Sequence, residues 1–434
     1  MNDSSIEIQT VNGDVAFEIQ PPGSKSITNR ALVCAALADG QSILHGVLTS
    51  DDSRVMIEGL RKLGVTIEHR DKKNEKGQGT TVVVDGASGT LNDHAEIFVD
   101  NSGTTIRFLT GVLGVHGGEF RLHGSPRMHE RPIGPLVDAL NLIGSQVEAE
   151  SDGGCPPVNI TGKRVTHGQA TIAGNVSSQY LSGLMLASPL AEEFNIELTG
   201  ELVSQPYVTM TQEVMRSFGV ESTLDLNATP NRFSVHPNSQ YRACEYSIEP
   251  DASAASYFWA VAAICGGRAT VLGLSRNSLQ GDVRFVDCLK AMGCELIEGD
   301  NQITVAGPAK HGIDVNMEDI SDTVQTLATV ALFVVGETRV RGVAHNRVKE
   351  TDRIGNLAIE LRKLGAEVIE HEDGMTIVPG VTRPATIETY KDHRMAMSLA
   401  LAGLRQEGVV INDPGCTAKT YPNFFADLNR VLGN

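Results

Sequence analysis

The chain has 434 residues, of which 41% are hydrophobic and 21% charged, a composition that excludes a disordered or fibrous protein. At roughly 150 residues per domain, this length allows two or three domains. Lys and Arg number 36 against 53 Asp and Glu, so the formal net charge is −17. This charge speaks against general binding to nucleic acid or acidic membranes.

The seven cysteines are scattered and form no Cys-x-x-Cys pair, so the sequence indicates neither a disulfide framework nor a zinc site. Apolar runs stay shorter than the roughly 18 residues that a membrane span needs, and the N-terminal residues lack a basic, apolar leader. We therefore expect a cytoplasmic protein with reduced thiols, no metal, and no nucleic-acid or membrane partner.

The first predicted elements are two strands joined by a turn, within IEIQTVNGDVAFEIQ at positions 6–20. A pattern of helix, strand, second helix and two strands then recurs along the chain. The first helix of each unit is apolar nearly all round, which predicts burial. Such helices are predicted at Arg30–Ala38, Thr105–Val115, Ala254–Cys265, Thr326–Val335 and Arg394–Leu404.

The second helix of each unit ends at a glycine and is followed by strand-like sequence, as in LRKLGVTIE and LRKLGAEVI. These glycines are Gly64, Gly144, Gly219, Gly293, Gly365 and Gly433, which by subtraction lie 80, 75, 74, 72 and 68 residues apart. This spacing predicts six similar units. Since the last unit stops at its glycine, we expect the N-terminal strands to complete it.

We therefore predict an α/β (α+β) protein with two similar domains, each of three such units of buried helix, strand, covering helix and two strands. The first domain is predicted at 22–240, and the second at 1–21 plus 241–434. The expected crossings are Pro21-Pro22-Gly23 and a loop-like stretch at 236–242.

Unusual polar clusters stand at the starts of the predicted helices, where free N–H groups and the helix dipole favour anions. Ser, Asp and Asn at such positions are ordinary N-caps, but cations there oppose the dipole. The cations are Lys25, Arg30, Arg107, Arg127, Lys349, Arg353, Arg394 and Lys419. As a set they indicate a ligand with several negative groups, at least one of them a phosphate.

Candidate acid/base groups stand near these cations in the sequence: Asp322, Glu350, Asp352, Asp392 and His393. For each of them, helix capping or ion pairing is the alternative role. Signatures of dinucleotide-binding proteins, zinc proteases and serine hydrolases are absent from the sequence, and PGSKS departs from a P-loop in its glycine pattern.

Several long segments resemble the 5-enolpyruvylshikimate-3-phosphate synthase family, also called 3-phosphoshikimate 1-carboxyvinyltransferases. They include PGSKSITNRAL, DNSGTTIR, PRMHERPIGPL, SSQYLSGLM, RVKETDRIGNLAIELRKLGAE, DHRMAMSLALAG and DPGCTAKTYPNFF. The resemblance implies two domains that close on the ligands, each of three β-α-β-α-β-β repeats with buried parallel helices, an inside-out α/β barrel. It also implies transfer of the enolpyruvyl group of phosphoenolpyruvate (PEP) to the 5-hydroxyl of shikimate 3-phosphate, without a cofactor. A monomer acting on these two small molecules is expected.

The resemblance also implies roles for individual residues. Shikimate 3-phosphate is expected to bind Lys25, Ser26, Arg30, Ser177, Ser178, Gln179, Ser204, Tyr207, Asp322, His345, Asn346 and Lys349. PEP is expected to bind Lys25, Gly103, Thr104, Arg127, Gln179, Arg353, Arg394 and Lys419. The expected catalytic residues are Asp322, Glu350, Lys25 and His393, with Asp322 facing the acceptor hydroxyl and Glu350 or Lys25 facing the PEP methylene.

The chain departs from the family pattern at His345, where Asn is usual, and either His345 replaces that Asn or Asn346 shifts into its place. Gly103 matches the residue of glyphosate-sensitive members, so the protein is expected to be a glyphosate target. Two alternatives stay open: a UDP-N-acetylglucosamine enolpyruvyl transferase, which typically has a reactive cysteine where this chain has Ser125–Pro132, and a catalytically silent phospho-ligand binder.

Overall fold

The structure is a computed structural model that describes residues 5–70, 80–175, 177–236 and 238–433. The helices in this part of the chain are α1 Lys25–Leu37, α2 Asp51–Lys62, α3 Gly103–His116, α4 Gly134–Leu142, α5 Ser178–Ala187, α6 Gln205–Ser217, α7 Ala252–Cys265, α8 Phe285–Ala291, α9 Val324–Val330, α10 Gly355–Lys363, α11 His393–Ala400 and α12 Phe424–Leu432.

The strands are β1 Ser5–Glu7, β2 Val15–Ile19, β3 Gln41–Val47, β4 Thr66–Arg70, β5 Thr80–Asp85, β6 His94–Phe98, β7 Gly118–His123, β8 Gln146–Ser151, β9 Cys155–Gly162, β10 His167–Ala173, β11 Glu193–Thr199, β12 Ser222–Asp225, β13 Asn231–Val235, β14 Glu245–Ser247, β15 Gly267–Leu272, β16 Glu295–Gly299, β17 Gln302–Gly307, β18 Asp314–Asn316, β19 Thr338–Arg341, β20 Glu367–His371, β21 Gly374–Val378, β22 Ala385–Ile387 and β23 Val409–Asn412.

One compact unit comprises Gly23–Ile248 and contains three four-stranded sheets. Their strand orders are β14-β3-β5-β4, β6-β7-β9-β8 and β10-β11-β13-β12. In each sheet the first pair is parallel and the other two pairs are antiparallel. Each sheet thus holds the four strands of a β-α-β-α-β-β repeat, as the resemblance implies, although the leading strand of the first sheet, β14, comes from the end of the unit.

The other compact unit comprises Met1–Pro22 and Glu249–Asn434, and its sheets have the orders β2-β15-β17-β16, β18-β19-β21-β20 and β1-β23-β22. The two N-terminal strands separate: β1 is antiparallel to β23 of the last repeat, whereas β2 is parallel to β15 of the first. The expectation that both strands complete the last repeat is thus wrong for β2.

The second crossing between the units falls after Ile248, later in the chain than the predicted boundary at 240. The reason is β14, a short strand that follows the third repeat and pairs in parallel with β3 of the first repeat. The backbone N–H of Ile248 then donates to the carbonyl of His45, which keeps the segment in the first unit. Position 237 of the predicted crossing lies outside the described residues.

The first helix of each repeat is buried, and in α7, α9 and α11 every residue is. These helices begin earlier than their apolar patterns predict because polar caps start them. Ser24 caps α1 and Ser102 caps α3, while Asp251 and Asp392 do so in α7 and α11. The polar clusters therefore lie in the first turns of helices whose remaining residues form the core.

The second helix of each repeat covers the core and ends before a glycine. All six predicted glycines have a positive φ, between 75° and 107°. A glycine adopts this conformation without the steric penalty of a Cβ, so it turns the chain from the helix into the following strand. The periodic glycines of the sequence thus mark the ends of these helices: Gly433 is the C-cap of α12, and each of the other five directly follows the C-cap residue of its helix.

The repeat is also visible in the core, where α7, α9 and α11 each contribute one hydroxyl. Thr326 Oγ1 lies 3.1 Å from Ser256 Oγ and 3.2 Å from Ser398 Oγ, and the three residues are 70 and 72 positions apart in the chain. Since buried hydroxyls need partners, this chain of hydrogen bonds aligns the three repeats.

All seven cysteines are free thiols. Over the described ranges, we find no helix with both the length and the apolarity that a membrane crossing requires.

Candidate active site

Arg30 ties together the starts of α1 and α6 in the unit Gly23–Ile248. Its Nη1 donates to the carbonyl of Ser26 at 2.9 Å and its Nη2 to that of Tyr207 at 3.1 Å. Its Nε donates to Thr211 Oγ1 at 2.7 Å, and Nη2 also reaches Ser182 Oγ at 3.2 Å. Burial lowers the pKa of Arg30 to about 10. These four hydrogen bonds all go to protein oxygens, so Arg30 organises the local structure.

Lys25 is the first residue of α1, directly after the cap Ser24. Its Nζ lies 3.7 Å from Oδ2 of the buried Asp52, which stands in the first turn of α2. A buried ammonium at a helix N-terminus is unfavourable without such a counter-charge. Asp52 is a neighbour of the site that the sequence reasoning missed, although its place in a run of acids after the cap Ser50 is a readable signal.

Gly103 is the first residue of α3, and two buried arginines crowd it. Arg107 Nη1 donates to the Gly103 carbonyl at 3.1 Å and to Gln179 Oε1 at 3.2 Å. A Cβ on Gly103 would lie 2.4 Å from Arg107 Nη1 and 2.5 Å from Arg131 Nη2. Glycine is therefore required here so that the guanidinium groups can approach the α3 backbone, with Thr104 buried next to them. Sequence reasoning noted Arg107 but assigned it no ligand, and it missed Arg131.

The serines of the predicted phosphate site start α5 and α6. Ser177 caps α5, with its hydroxyl accepting from the Gln179 N–H, and Ser178 is the first residue of that helix. Ser204 is the cap residue of α6, at a φ of 53° in the left-handed region. Tyr207 lies in the first turn of α6. These groups thus surround two helix N-termini, where free N–H groups attract anions.

Arg127 lies in a 3-10 turn, Pro126–Glu130, and is partly exposed. Its Nη1 donates to Glu130 Oε2 at 2.7 Å. Because exposed ion pairs are weak, this pair constrains the Arg127 side chain much less than the buried hydrogen bonds constrain Arg107 and Arg131.

In the other unit, Arg353 is the centre of a buried charge network and only 1% of its side chain is exposed. Its Nε and Nη2 bind both oxygens of Asp392, at 2.7 and 3.2 Å. Its Nη1 lies 3.1 Å from Asp322 Oδ1, and Nη2 lies 2.8 Å from Glu350 Oε2. These three carboxylates raise the pKa of Arg353, against the effect of burial.

Two further cations complete the network. Arg394 Nη2 donates to Asp322 Oδ2 at 2.7 Å, and Lys419 Nζ donates to Glu350 Oε1 at 3.0 Å. Three cations therefore face three carboxylates. The structure brings together Asp322, Glu350, Arg353, Arg394 and Lys419, which the sequence predicts as site residues. Asp392, an acid/base candidate in the sequence, joins them through the Arg353 guanidinium and the Arg394 N–H.

His393 lies beside this network and is fully buried. Burial, with Arg394 as the next cause, moves its pKa well below the ordinary value, so the ring is neutral. Its Nδ1 is 3.7 Å from Asp392 Oδ1, and neither ring nitrogen has a hydrogen-bond partner among the described residues.

His345 and Asn346 differ sharply in their surroundings. The side-chain amide of Asn346 is fully buried and donates to the carbonyl of Ser321 at 3.0 Å. The backbone carbonyl of Asn346 accepts from the Arg353 N–H. His345 is only partly buried, and burial together with the nearby Lys349 lowers its pKa to about 4. Asn346 is therefore a framework residue, whereas a neutral imidazole stands at the position where Asn is usual.

Within the described ranges, His, Cys, Asp and Glu side chains form no cluster of three or more that could hold a metal ion.

The chain matches the family model for EPSP synthase (3-phosphoshikimate 1-carboxyvinyltransferase) over residues 9–428. It is 43% identical over 432 residues to the 3-phosphoshikimate 1-carboxyvinyltransferase of Trichormus variabilis, covering 99% of both chains. It is 44% identical over 418 residues to that of a Marinomonas species, covering 95% of this chain and 96% of the relative.

A solved EPSP synthase from Acinetobacter baumannii superimposes with a TM-score of 0.79 at 26% identity, over 98% of each chain. The enolpyruvyl transferase NikO from Streptomyces tendae, at 18% identity and a TM-score of 0.76, shares the fold. By its family match and its full-length relatives, the chain belongs to the EPSP synthase (3-phosphoshikimate 1-carboxyvinyltransferase) family.

Proposed function

We propose that the protein transfers the enolpyruvyl group of PEP to the 5-hydroxyl of shikimate 3-phosphate and releases inorganic phosphate. Full-length membership of the family supports this reaction. The observation that carries the proposal is the buried network in which Asp322 and Glu350 lie among Arg353, Arg394 and Lys419. Such a set of cations suits a ligand with a carboxylate and a phosphate.

The reaction needs two proton transfers that carboxylates can perform. Asp322 accepts the proton of the acceptor hydroxyl as its oxygen bonds to C2 of PEP, while Glu350 or Lys25 supplies a proton to the methylene carbon. The C2–O bond to phosphate then breaks, and the same group removes a proton from the methyl to restore the double bond. Neutral His393 would act beside Glu350 as a hydrogen-bond partner of the reacting groups.

The binding roles follow the two units. In Gly23–Ile248 we assign shikimate 3-phosphate to Lys25, Ser26, Ser177, Ser178, Gln179, Ser204 and Tyr207, and PEP to Lys25, Gly103, Thr104, Arg127 and Gln179. Arg30 keeps its assignment to shikimate 3-phosphate, acting through the Ser26 and Tyr207 backbone that it holds.

In the second unit we assign PEP to Arg353, Arg394 and Lys419, and shikimate 3-phosphate to Asp322, His345 and Lys349. The partly buried, neutral ring of His345 supports its choice over Asn346, whose amide is engaged with Ser321. We further propose a monomeric, cytoplasmic enzyme that uses neither a metal nor an organic cofactor.

The test is phosphate release from PEP with shikimate 3-phosphate or UDP-N-acetylglucosamine as acceptor. Release only with shikimate 3-phosphate supports the proposal, and release only with the sugar nucleotide overturns the acceptor. The absence of cysteine between Ser125 and Pro132 favours the first result. Calorimetric binding of PEP without release in either sample would show a silent binder.

A further inference from the structure

We infer that the buried Glu360 carboxylate and the partly buried Tyr390 hydroxyl form a latch that positions the guanidinium groups of Arg353 and Arg394 for the phosphoenolpyruvate anion. The inference rests on the proposed function, which supplies the ligand. Neither latch residue is assigned to a ligand, and both act through the loop that carries Asp392. They are thus positioning residues.

Glu360 is a fully buried carboxylate on α10 that accepts hydrogen bonds from three donors. Its Oε1 accepts from the Tyr390 hydroxyl at 2.7 Å, and its Oε2 accepts from the Glu388 N–H at 3.1 Å. Lys363, one turn later on α10, donates to both oxygens at 2.9 and 2.8 Å. A buried carboxylate is stable only with such partners. The carboxylate therefore holds the 388–390 segment against α10.

The segment that the latch holds is strained. Tyr390 and Lys391 have φ angles of 53° and 56°, in the left-handed region that non-glycine residues rarely adopt. Two such residues in succession are unfavourable and persist only where surrounding contacts fix them. The Glu360–Tyr390 bond is one such contact, and the other is the turn in which the Asp392 N–H donates to the Thr389 carbonyl at 2.8 Å.

The strained pair leads directly into the charge network. Asp392 follows Lys391, caps α11 through the Arg394 N–H at 2.9 Å, and binds Arg353 with both oxygens. Arg353 itself stands two residues before α10 begins. The loop is therefore held at two points: Arg353, just before α10, binds Asp392, and Glu360, within α10, binds Tyr390. Loss of the second contact lets the loop relax and shifts Asp392 relative to both arginines.

The experiment compares Tyr390→Phe and Glu360→Gln with the unchanged protein, by steady-state phosphate release over a range of both substrates. We expect KM for PEP to rise about tenfold in each variant, a size typical for groups that support a binding residue indirectly. KM for shikimate 3-phosphate should rise clearly less than KM for PEP, since most of the residues assigned to it, including the serines at the starts of α5 and α6, belong to the unit Gly23–Ile248.

The matched control is Tyr241→Phe. Tyr241 is also buried, and its hydroxyl donates to the Leu186 carbonyl at 3.0 Å within the other unit. This variant loses a comparable hydrogen bond, so it should lose stability while both KM values stay unchanged. Fluorescence of Trp259, the one tryptophan of the sequence, shows whether the latch variants are folded, because Trp259 is buried in the same unit as the latch.

The inference is overturned if both latch variants are folded and keep the KM for PEP, or if both KM values rise equally, as a general structural defect would give. Failure of the proposed function looks different, since the unchanged protein would then release no phosphate. In that case calorimetric titration with PEP still decides the inference: weaker binding by Tyr390→Phe and Glu360→Gln than by Tyr241→Phe supports it, and equal binding refutes it. If Tyr390→Phe does not fold, Glu360→Gln alone is compared with the control.

Discussion

Asp392 is the group on which the charge network most depends, and the substitution Asp392→Asn tests this. The amide keeps the size of the side chain but removes the charge opposite Arg353, which is buried and donates two hydrogen bonds to Asp392. The cap of α11, in which an Asp392 oxygen accepts from the Arg394 N–H, is largely kept, because an amide oxygen also accepts there.

The expected loss of stability follows from these contacts. Breaking a buried ion pair by removing the charge of one partner costs about 3–5 kcal/mol. Asp322 and Glu350 still bind Arg353 and limit the loss, so we expect the free energy of unfolding to fall by about 3 kcal/mol.

The assay is urea unfolding followed by Trp259 fluorescence, which reports on the unit that contains Asp392. The matched control is Asp314→Asn, because Asp314 pairs with Arg341 at 2.6 Å in the same unit but both side chains are largely exposed. The control should lose less than about 1 kcal/mol. A similar loss in the two variants would refute the argument that burial makes the Arg353 network strong.

Three further predictions concern the site itself. Glu350→Gln should lower kcat for phosphate release by about 10²–10⁴-fold while the protein stays folded, because an amide cannot exchange the proton; a rate within about threefold of the original would contradict that role. His345 has a pKa lowered to about 4, so acid favours the unfolded chain, which binds the proton more readily, and stability should fall as pH drops from about 6.5 to 4. His345→Asn should flatten this dependence in the same fluorescence assay, and an unchanged slope would contradict the shift. Gly103→Ala should raise KM for PEP about tenfold or more and weaken inhibition by glyphosate, because its Cβ would displace Arg107 and Arg131; unaltered kinetics with both compounds would contradict the clash.

The sequence predicts the repeat well because the repeat has local causes. The closing glycines end their helices with a positive φ, and the apolar helices are buried. Both features therefore leave a signal in a few adjacent residues. The destination of β2 leaves no such signal: β1 and β2 look alike in sequence, and only pairing with β15 or β23, distant in the chain, separates them. Long-range strand pairing decided this point.

The candidate site divides in the same way. Cations at predicted helix starts are visible in the sequence because they oppose the helix dipole, and this reasoning finds Arg353 and Arg394 near the starts of α10 and α11. The same reasoning finds Lys419, although the structure places it at the end of a 3-10 turn, Pro414–Lys419. The partners that hold these cations are not visible: Asp392 reads as an ordinary cap, and Glu360 reads as an ordinary acid of the covering helix α10. Their roles come from burial and from contacts 30 or more residues away.

The three carboxylates around Arg353 differ in a way that bears on which of them can transfer protons. Asp392 is fully buried, and its oxygens are occupied by the Arg353 guanidinium and the Arg394 N–H. The side chains of Asp322 and Glu350 are 14% and 8% exposed, and each of their carboxylate oxygens forms an ion pair with a cation. A proton acceptor must reach its substrate, and an anionic ligand can take over the cations that hold it. Asp322 and Glu350 meet both conditions, whereas Asp392 is committed to holding the arginines in place.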